Sequence, residues 1–512
     1  MPNQDTEKAW NYHLGTKHTY ESIRKSTHFL DWANQPLPFK AYLDLPPISL
    51  PPAAERTGVP VLSALAGLPE VSKVEKLPNL KNLAHLLFFS AGITKRRRGE
   101  ILFRAAACTG ALYEIELYLV CGPLPNLPAG IYHFSPRDLA LRRLREGDFS
   151  GVVIAAAAEE PSVLQAPVVV VSTGTYWRNA WKYQARTYRH FGWDNGTILA
   201  NLLAVAAGLK LPARLVCGFA DEEVNALLGL EADREVSLSL VAVGHTEFQP
   251  PAPPSELLPL ELKTVPLSRT EVGYPAMREL HAASSLPTAE EVVAWRAGSI
   301  DSVPPPPPAG DLLPLCPLDE GQMPQDTLED VILRRGSSRR FLREPISLAQ
   351  LSTILERSTG GIDADFLAPS GAGLNELYLI VNAVEGLKPG AYFYRASDRA
   401  LEALRYGDFR NRAAYLALEQ SLAGDAAVTV FFLADLNRCL ARLGNRGYRA
   451  VQLEAGILGG KLYLAAYAHR LGATGLTFYD DDVIQFFSPH AAGKSAVFLV
   501  AIGQPARRPA DA

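Results

Sequence analysis

Three absences narrow what this chain of 512 residues can be. No uncharged apolar run approaches the ~20 residues that a membrane-spanning helix needs. The first residues show no basic segment followed by an apolar one, which is the pattern of a secretory signal. The formal net charge of −4 gives no electrostatic reason to expect nucleic acid as a partner. We therefore expect a cytoplasmic protein that binds neither a membrane nor nucleic acid.

The chain is also poor in cysteine. Its five cysteines are odd in number, widely scattered and form no C-x-x-C pair, the spacing that is typical of zinc sites and thiol exchange. They are Cys108, Cys121, Cys217, Cys316 and Cys439. We expect reduced thiols that lie mostly in the core, and we predict no metal site.

What the chain does contain is a weak copy of itself. Three segments recur after a constant 260 residues (376 − 116, 407 − 147 and 446 − 186), namely Glu116–Val120 as Glu376–Ile380, Gly147–Phe149 as Gly407–Phe409, and Arg186–Arg189 as Arg446–Arg449. A repeat of half the chain is too long for a solenoid unit and indicates duplication and fusion of a whole domain. The two copies are expected to pack as a pseudo-dimer within one chain.

Composition divides the chain into a first domain at 1–248, a Pro-rich connector at 249–320 and a second domain at 321–512. The proline runs of the connector favour extended polyproline geometry over a packed core. Within the connector, Thr288–Ala297 begins with a helix-capping pattern and predicts one short helix. Inside each copy, helices mix with strands joined by Pro-Gly turns, which indicates an α+β fold.

Arginine and serine crowd one motif in the second copy. Residues 334–340 read Arg-Arg-Gly-Ser-Ser-Arg-Arg, and guanidinium groups with hydroxyls make charge-assisted contacts to phosphate. Because arginine also complements the dipole at a helix C-terminus, a solvated helix end is the alternative for this motif taken alone. About thirty residues later, Ala368–Glu376 contains a Pro-Ser-Gly turn with little side-chain bulk, which would let a planar ligand approach the backbone.

An Arg-x-Ser-x-Arg motif followed by a Pro-Ser turn and a strand resembles the FMN-dependent nitroreductase family, and the resemblance covers both halves. It implies two fused nitroreductase-like domains with FMN as cofactor, each flavin site being built from both copies. The implied phosphate ligands are Arg335, Ser337 and Arg339, with Arg507 or Arg508 after the last strand. The implied turn over the flavin ring is Pro369, Ser370 and Gly371.

The first copy departs from that pattern. Its turn carries Cys108, Thr109 and Gly110, its nearest match to the clamp is Arg24, Ser26 and His28, and no arginine follows its last strand. We therefore expect one strong site, made of the second copy's clamp and the first copy's turn, and one doubtful site of the opposite combination. By position, the resemblance also implies Thr477 and Gly218 as the backbone hydrogen-bond donors near flavin N5.

The segments Lys182–Arg189 and His28–Pro36 resemble the SagB-type dehydrogenase branch, whose members oxidise azoline rings in peptides with a Lys-Tyr pair beside the flavin. The resemblance makes Lys182 the base and Tyr183 its orienting partner. A desolvated lysine can take a carbon-bound proton, whereas the counterpart Arg442 stays protonated. The alternative is that both residues belong to an ordinary helix surface.

The sequence thus predicts an FMN-dependent dehydrogenase that transfers hydride from a small-molecule or peptide-azoline substrate to flavin. One alternative is an NAD(P)H-dependent nitro or quinone reductase, and NAD(P)H or O2 is the expected redox partner. The other is a degenerate flavin-binding or scaffold protein, which the altered turn of the first copy favours. A monomeric pseudo-dimer is the expected assembly.

Overall fold

The computed structural model describes residues 2–53, 56–66, 75–97, 101–300, 306–368 and 373–506. The strands of its first half are β1 (Pro47–Ser49), β2 (Ile93–Arg97), β3 (Ile101–Arg104), β4 (Ile115–Cys121), β5 (Gly130–Ser135), β6 (Ala140–Glu146), β7 (Val168–Thr175), β8 (Ala213–Val216) and β9 (Glu235–Val243). Those of its second half are β10 (Leu312–Pro314), β11 (Phe341–Leu342), β12 (Asn375–Val381), β13 (Gly390–Arg395), β14 (Ala400–Tyr406), β15 (Val428–Ala434), β16 (Gly472–Gly475) and β17 (Ser495–Pro505).

Helices fill the segments between the strands. Up to β9 they are α1 (Glu7–Gly15), α2 (Tyr20–Lys25), α3 (Val61–Ala66), α4 (Leu80–Ala91), α5 (Ser150–Ala156), α6 (Pro161–Leu164), α7 (Tyr176–Tyr183), α8 (Thr187–Gly208) and α9 (Asp221–Leu228). Later ones are α10 (Pro275–Ala283), α11 (Ala289–Arg296), α12 (Leu328–Arg334), α13 (Leu348–Ser358), α14 (Arg410–Leu416), α15 (Ser421–Asp425), α16 (Leu436–Ala468) and α17 (Asp480–Phe487). In the part of the chain that the structure describes, every helix is too short or too polar to cross a membrane.

Two antiparallel sheets of matching topology confirm the predicted duplication. The first has the strand order β1-β6-β5-β4-β7-β9-β8, and the second repeats it as β10-β14-β13-β12-β15-β17, with β16 and β11 both pairing β17. The central strands β4, β7, β12 and β15 are almost wholly buried, which is why they read as apolar runs rich in β-branched and aromatic residues. The fold is the α+β type that the sequence predicts.

The domains meet through their longest helices, α8 and α16. Glycines at the crossing allow close approach, since a Cβ on Gly196 would lie 2.5 Å from the Gly456 carbonyl carbon. These two glycines occupy the same place in the repeat, 260 residues apart (456 − 196). One hydrophobic core runs from the first domain into the second. The interface is therefore an integral part of the hydrophobic core of the protein.

Two buried ion clusters tie each domain to the other. Asp480 of the second domain binds Arg189 at 2.7 Å and Arg186 at 3.1 Å. In the mirrored arrangement, Asp221 of the first domain binds Arg446 at 2.5 Å and Arg449 at 2.7 Å. Burial alone would raise the pKa of Asp221, but the two guanidinium charges outweigh it and lower the pKa to about 2. The Arg-x-x-Arg pattern that recurs in the sequence supplies the two arginines of each cluster.

The connector is more ordered than its proline content predicts. Its predicted helix is present as α11, with the Thr288 hydroxyl accepting from the Glu291 N–H, and α10 precedes it. The stretch 263–267 pairs with 37–43 of the first domain, for example Leu37 N–H to Leu267 O at 2.8 Å. Residues 312–314, placed in the connector by composition, form β10 and complete the second sheet. The connector therefore belongs structurally to both domains.

Candidate functional site

A cavity of about 580 Å³ lies between the two domains. From the first domain it is lined by Thr94, Lys95, Arg104, residues 106–111, Tyr113, Lys182, Tyr183, His190, Trp193 and Asp194. From the second domain it is lined by Arg335, Gly336, Ser337, Arg339, Tyr463, residues 474–477 and Phe498. Neither domain could form this cavity alone.

The arginine and serine motif begins where α12 ends and runs along the cavity wall. Arg335 is 8% exposed and donates to backbone carbonyls of the other domain, through Nε to Ala105 O at 3.0 Å and through Nη2 to Arg104 O at 2.7 Å. Ser337 Oγ lies 3.3 Å from the Tyr463 hydroxyl, and Arg339 is exposed at the wall. The motif therefore both fastens the domain interface and presents positive charge and hydroxyls to the cavity.

The floor of the cavity on the second domain contains an unsatisfied polar group. The Thr477 hydroxyl is buried and has no hydrogen-bond partner within the protein. Next to it, the Gly475 N–H donates to the Tyr463 hydroxyl at 2.5 Å. Because buried polar groups are normally paired, the Thr477 hydroxyl indicates that a polar ligand belongs here.

The opposite wall is the turn at residues 108–113 of the first domain. Asp194 in α8 fixes it by accepting the Thr109 N–H at 2.8 and 2.9 Å and the Thr109 hydroxyl at 2.9 Å. Gly110 has a φ of 64°, and a Cβ on it would lie 2.9 Å from the Tyr183 hydroxyl. Glycine is therefore required at this position, both for the backbone angle and for the close approach of Tyr183.

Lys182 and Tyr183 end α7 and line the cavity together. The Lys182 ammonium lies 5.2 Å from the centre of the Tyr183 ring. Burial, and then the charge of Arg339, lowers the pKa of Lys182, while burial and the charge of Asp194 raise the pKa of Tyr183. The next residue, Gln184, has φ 51° and ψ −139°, a strained conformation for a residue with a side chain. A partly desolvated amine held over a neutral phenol can accept a proton.

These features fit an FMN molecule. Arg339 and Ser337 offer the contacts that a phosphate takes, and the unpaired Thr477 hydroxyl offers a hydrogen bond to a polar ring edge. The turn at Gly110 adds no side chain to the cavity wall. The structure brings Cys108, Thr109, Gly110, Lys182, Tyr183, Arg335, Ser337, Arg339 and Thr477 around one cavity, the combination of copies that the sequence predicts for the strong site.

The matching place on the other side of the pseudo-two-fold axis includes residues 369–372, which lie outside the described residues. In its described part, a space of about 20 Å³ touches Cys217, Leu238 and Leu453, which lie 260 residues before or after Thr477, Phe498 and Trp193 of the large cavity (477 − 217, 498 − 238 and 453 − 193). The predicted flavin contact at Gly218 is corrected by the structure. Its N–H donates to Asp365 Oδ2 at 2.8 Å, and a Cβ on it would lie 2.9 Å from the Trp295 ring.

The predicted first-copy clamp lies elsewhere. Arg24 is exposed on α2 and pairs with Glu419 at 3.1 Å, and Ser26 and His28 are exposed beyond it. The helix that matches α12 is α3, since the residues preceding the two helices, Pro60 and Thr327, face each other in an isolated bridge. The chain after α3 contains no arginine from residue 67 to residue 95, so the first copy lacks a clamp of the family type.

Five predicted cofactor contacts fall outside the described residues. They are Pro369, Ser370 and Gly371 of the second turn, and Arg507 and Arg508 after the last strand. All five stay predictions.

Sequence reasoning missed several residues that shape the large cavity and the matching place across the pseudo-two-fold axis. Asp194 anchors the turn at the cavity, and Glu454, 260 residues later, anchors Leu374 and Asn375 in the same way. The shared offset is a signal that could have identified this pair. Trp295 and Asp365, which occupy part of the matching place, have no counterpart in the repeat pattern and gave no signal.

The fold and the cavity define a duplicated α+β protein with a cavity of about 580 Å³ between its halves. The nitroreductase family model matches residues 73–245 and again residues 332–503. The chain belongs to the nitroreductase family.

Known proteins resemble either one half of the chain or all of it. The putative nitroreductase MJ1384 of Methanocaldococcus jannaschii is 30% identical over 161 residues, 30% of this chain and 81% of that protein. The trifolitoxin operon protein TfxC of Rhizobium leguminosarum bv. trifolii is 28% identical over 140 residues, 23% of this chain and 39% of that protein. The crystal structure of a putative nitroreductase from Anabaena variabilis is 27% identical, with a TM-score of 0.78 over 98% of this chain and 99% of that one. The tandem arrangement is therefore shared with a solved protein.

Proposed function

We propose that the chain binds one FMN in the large cavity and acts as a dehydrogenase, removing a proton and a hydride from a small-molecule or peptide-azoline substrate. One observation carries the proposal: a phosphate-type clamp from the second domain and an amine with a lowered pKa from the first domain line the same cavity. When bound, FMN supplies the acceptor for the hydride.

The residues of the chain have separate tasks in this reaction. Arg339 and Ser337 bind the phosphate, and the Thr109 to Gly110 turn, fastened by Asp194, presents a flat wall to the ring. Lys182, whose pKa is lowered by its burial, takes the carbon-bound proton of the substrate. Tyr183 keeps its hydroxyl proton and packs beside the amine, so it holds the base in place without competing for the proton.

The base assignment is tested with a matched pair of substitutions. Lys182→Ala should lower the rate of substrate-dependent flavin reduction by about 10²- to 10⁴-fold with FMN still bound. Arg442→Ala, the same position in the second copy and exposed, should leave the rate unchanged. In the native enzyme the rate should rise with pH and level off below the range of an ordinary lysine. An unchanged rate in Lys182→Ala would exclude Lys182 as the base.

The cofactor assignment is tested by FMN titration followed through flavin fluorescence. Arg339→Ala should weaken FMN binding about 10- to 100-fold, since a hydrogen bond to a charged group is worth about 1.5–3 kcal/mol. Arg340→Ala is the control, because this neighbouring arginine is exposed and does not line the cavity. Equal affinity in both variants would contradict the clamp. Absence of FMN binding by the native chain would favour the scaffold alternative.

Nitro or quinone reduction is the second candidate, because two proteins that the chain matches over most of their length are named putative nitroreductases. Anaerobic mixing with NADH or NADPH distinguishes the candidates. Rapid bleaching of bound FMN that is unaffected by Lys182→Ala would favour the reductase, since hydride transfer from nicotinamide needs no base.

A further inference from the structure

A second cluster of ionisable groups lies at the turn: Cys108 and Asp194 line the cavity, and Glu114 is buried beside them. The Cys108 thiol lies 3.2 Å from Asp194 Oδ2 and 3.5 Å from Glu114 Oε2. One ligand-type atom from each of the three residues falls within 4.8 Å of the others. Glu114 is fully buried and Asp194 is 4% exposed. Two carboxyl groups and a thiol thus share a small interior space.

Among the described residues, the hydrogen-bond partners of the Glu114 and Asp194 carboxyl groups are the Cys108 thiol and Thr109, and neither partner is a cation. The charged and titratable groups that face it are Arg104 at the end of β3, Tyr113 in the turn, Tyr183 at the end of α7 and Arg335 after α12. Both guanidinium groups donate to backbone carbonyls instead, Arg104 to Pro38 O and Arg335 to Ala105 O. Two ionised carboxylates here would repel each other without compensation.

The hydrogen bonds distinguish the two carboxyl groups. Asp194 accepts the N–H and the hydroxyl of Thr109, contacts that favour its ionised form. Glu114 Oε1 is buried and has no partner. Burial, and then the charge of Asp194, raises the pKa of Glu114 well above its usual range, and burial also raises the pKa of Asp194. Glu114 is therefore the carboxyl group that keeps the proton.

We propose that Glu114 and Asp194 hold one proton between them at neutral pH, and that this shared proton positions the turn at residues 108–113 against the bound ligand. The proposal rests on the FMN site above for its effect on binding, but not for the proton itself. Loss of the proton places two negative charges beside the turn, so the Asp194 anchor loosens and the wall of the cavity loses its shape. The two acids are positioning residues.

The second copy supports the assignment by contrast. Glu454 occupies the place of Asp194 there and accepts the Leu374 N–H at 2.8 Å. The position that matches Glu114 is Leu374 itself (374 − 114 is 260), so no second acid is present. The acid pair thus occurs only in the copy whose turn lines the large cavity.

The first test is infrared spectroscopy of the cofactor-free protein at neutral pH. A carboxylic acid C=O component should be present in the native spectrum and absent from the spectrum of Glu114→Gln. Burial raises the pKa of Glu454 in the second copy to about 7, so Glu454→Gln should remove a different component and leave the Glu114 component in place. If the spectrum of Glu114→Gln equals that of the native protein, Glu114 is ionised and the proposal is overturned. Because no FMN is used, this result does not depend on the proposed function.

The second test is FMN affinity as a function of pH. The native chain should lose at least about tenfold in affinity between neutral and alkaline pH, which corresponds to about 1.4 kcal/mol. Glu114→Gln imitates the protonated acid, so it should bind FMN as tightly as the native chain at neutral pH and keep that affinity at alkaline pH. A parallel decline in both proteins would overturn the proposal.

The same three residues could instead ligate a metal ion, which would displace the proton. Elemental analysis of the untreated protein decides this point. One equivalent of a transition metal that Glu114→Gln loses would overturn the shared proton, and its absence together with the infrared band would support it.

Discussion

The two halves of the chain leave a cavity of about 580 Å³ at one place in their interface, and the matching place differs in its described part. There, Trp295 from the connector lies against Gly218, and Asp365 accepts the backbone N–H groups of Cys217 and Gly218 at 2.8 Å each. A carboxylate and an indole thus occupy part of one of the two equivalent places.

The contrast shows that duplication preserved the frame and not the sites. The ion clusters, the paired sheets and the glycine crossing recur in both copies because they hold the domains together. The clamp, the Lys-Tyr pair and the acid pair each occur once among the described residues, and the clamp, the Lys-Tyr pair and Asp194 of the acid pair line the same cavity. Substitutions in the residues that hold the domains together should therefore lower stability, whereas substitutions in the residues that line the cavity should change ligand binding or turnover.

The largest expected effect concerns the frame. Asp480→Asn and Asp221→Asn should each destabilise the protein by about 3–5 kcal/mol, because each leaves two buried arginines without their partner. Denaturant unfolding measures the loss. Asp481→Asn, next in sequence but exposed, should cost less than about 1 kcal/mol.

Asp480→Asn should also weaken FMN binding, since Asp480 accepts the N–H of His18, which lines the large cavity. Asp221→Asn should have a smaller effect on FMN affinity, and equal effects of Asp480→Asn and Asp221→Asn would contradict this prediction.

A smaller effect on stability is expected at Trp295, the connector residue that lies against Gly218. Trp295→Ala should cost about 3 kcal/mol, since it removes a side chain that is 2% exposed and leaves a cavity. Thermal unfolding measures this, with Val293→Ala on the exposed side of α11 as the control. Flavin content should stay near one per chain, because the first copy has no arginine clamp. Two FMN per chain in Trp295→Ala would show that Trp295 alone had excluded FMN from the matching place.

The smallest expected effect lies at the break between α7 and α8. Gln184→Gly should stabilise the protein by about 1 kcal/mol, because the exposed side chain makes no contact that offsets its strained φ and ψ. The second copy has Gly444 at this position, with φ 62° and ψ −159°. Gly444→Ala should destabilise, since a Cβ there would lie 2.1 Å from Asn3 O. A glycine by itself costs about 0.5–1 kcal/mol of conformational entropy, so a loss of stability of that size in Gln184→Gly would mean that the backbone there carries no strain.

Much of this architecture could be predicted from the sequence. The constant offset of 260 residues revealed the duplication, and the cross-domain combination of Arg335, Ser337 and Arg339 with Cys108 to Gly110 is found at one cavity. The duplication is confirmed, and the residues of the predicted strong site lie around one cavity, because each motif is local in sequence and its place in the repeat fixes its place in space. Their role in binding a cofactor stays a prediction.

The contacts at the matching place could not be predicted in the same way. Trp295 reaches Gly218 and Leu443 across 77 and 148 residues (295 − 218 and 443 − 295), so its contact depends on the path of the connector and not on any local pattern. The first-copy clamp failed for a related reason. Arg24, Ser26 and His28 match the spacing of the motif, but α2 lies on the second domain near Glu419, and α3 is the helix in the matching place.

The covalent link between the domains also affects how the cavity responds to protein concentration. A site whose walls come from two separate chains disappears when the chains dissociate, so its occupancy depends on their abundance. Here both walls belong to one polypeptide, and their meeting is an intramolecular event. Ligand binding and turnover per molecule should therefore be the same in dilute and concentrated solution, and synthesis of a single copy is enough to make a complete site.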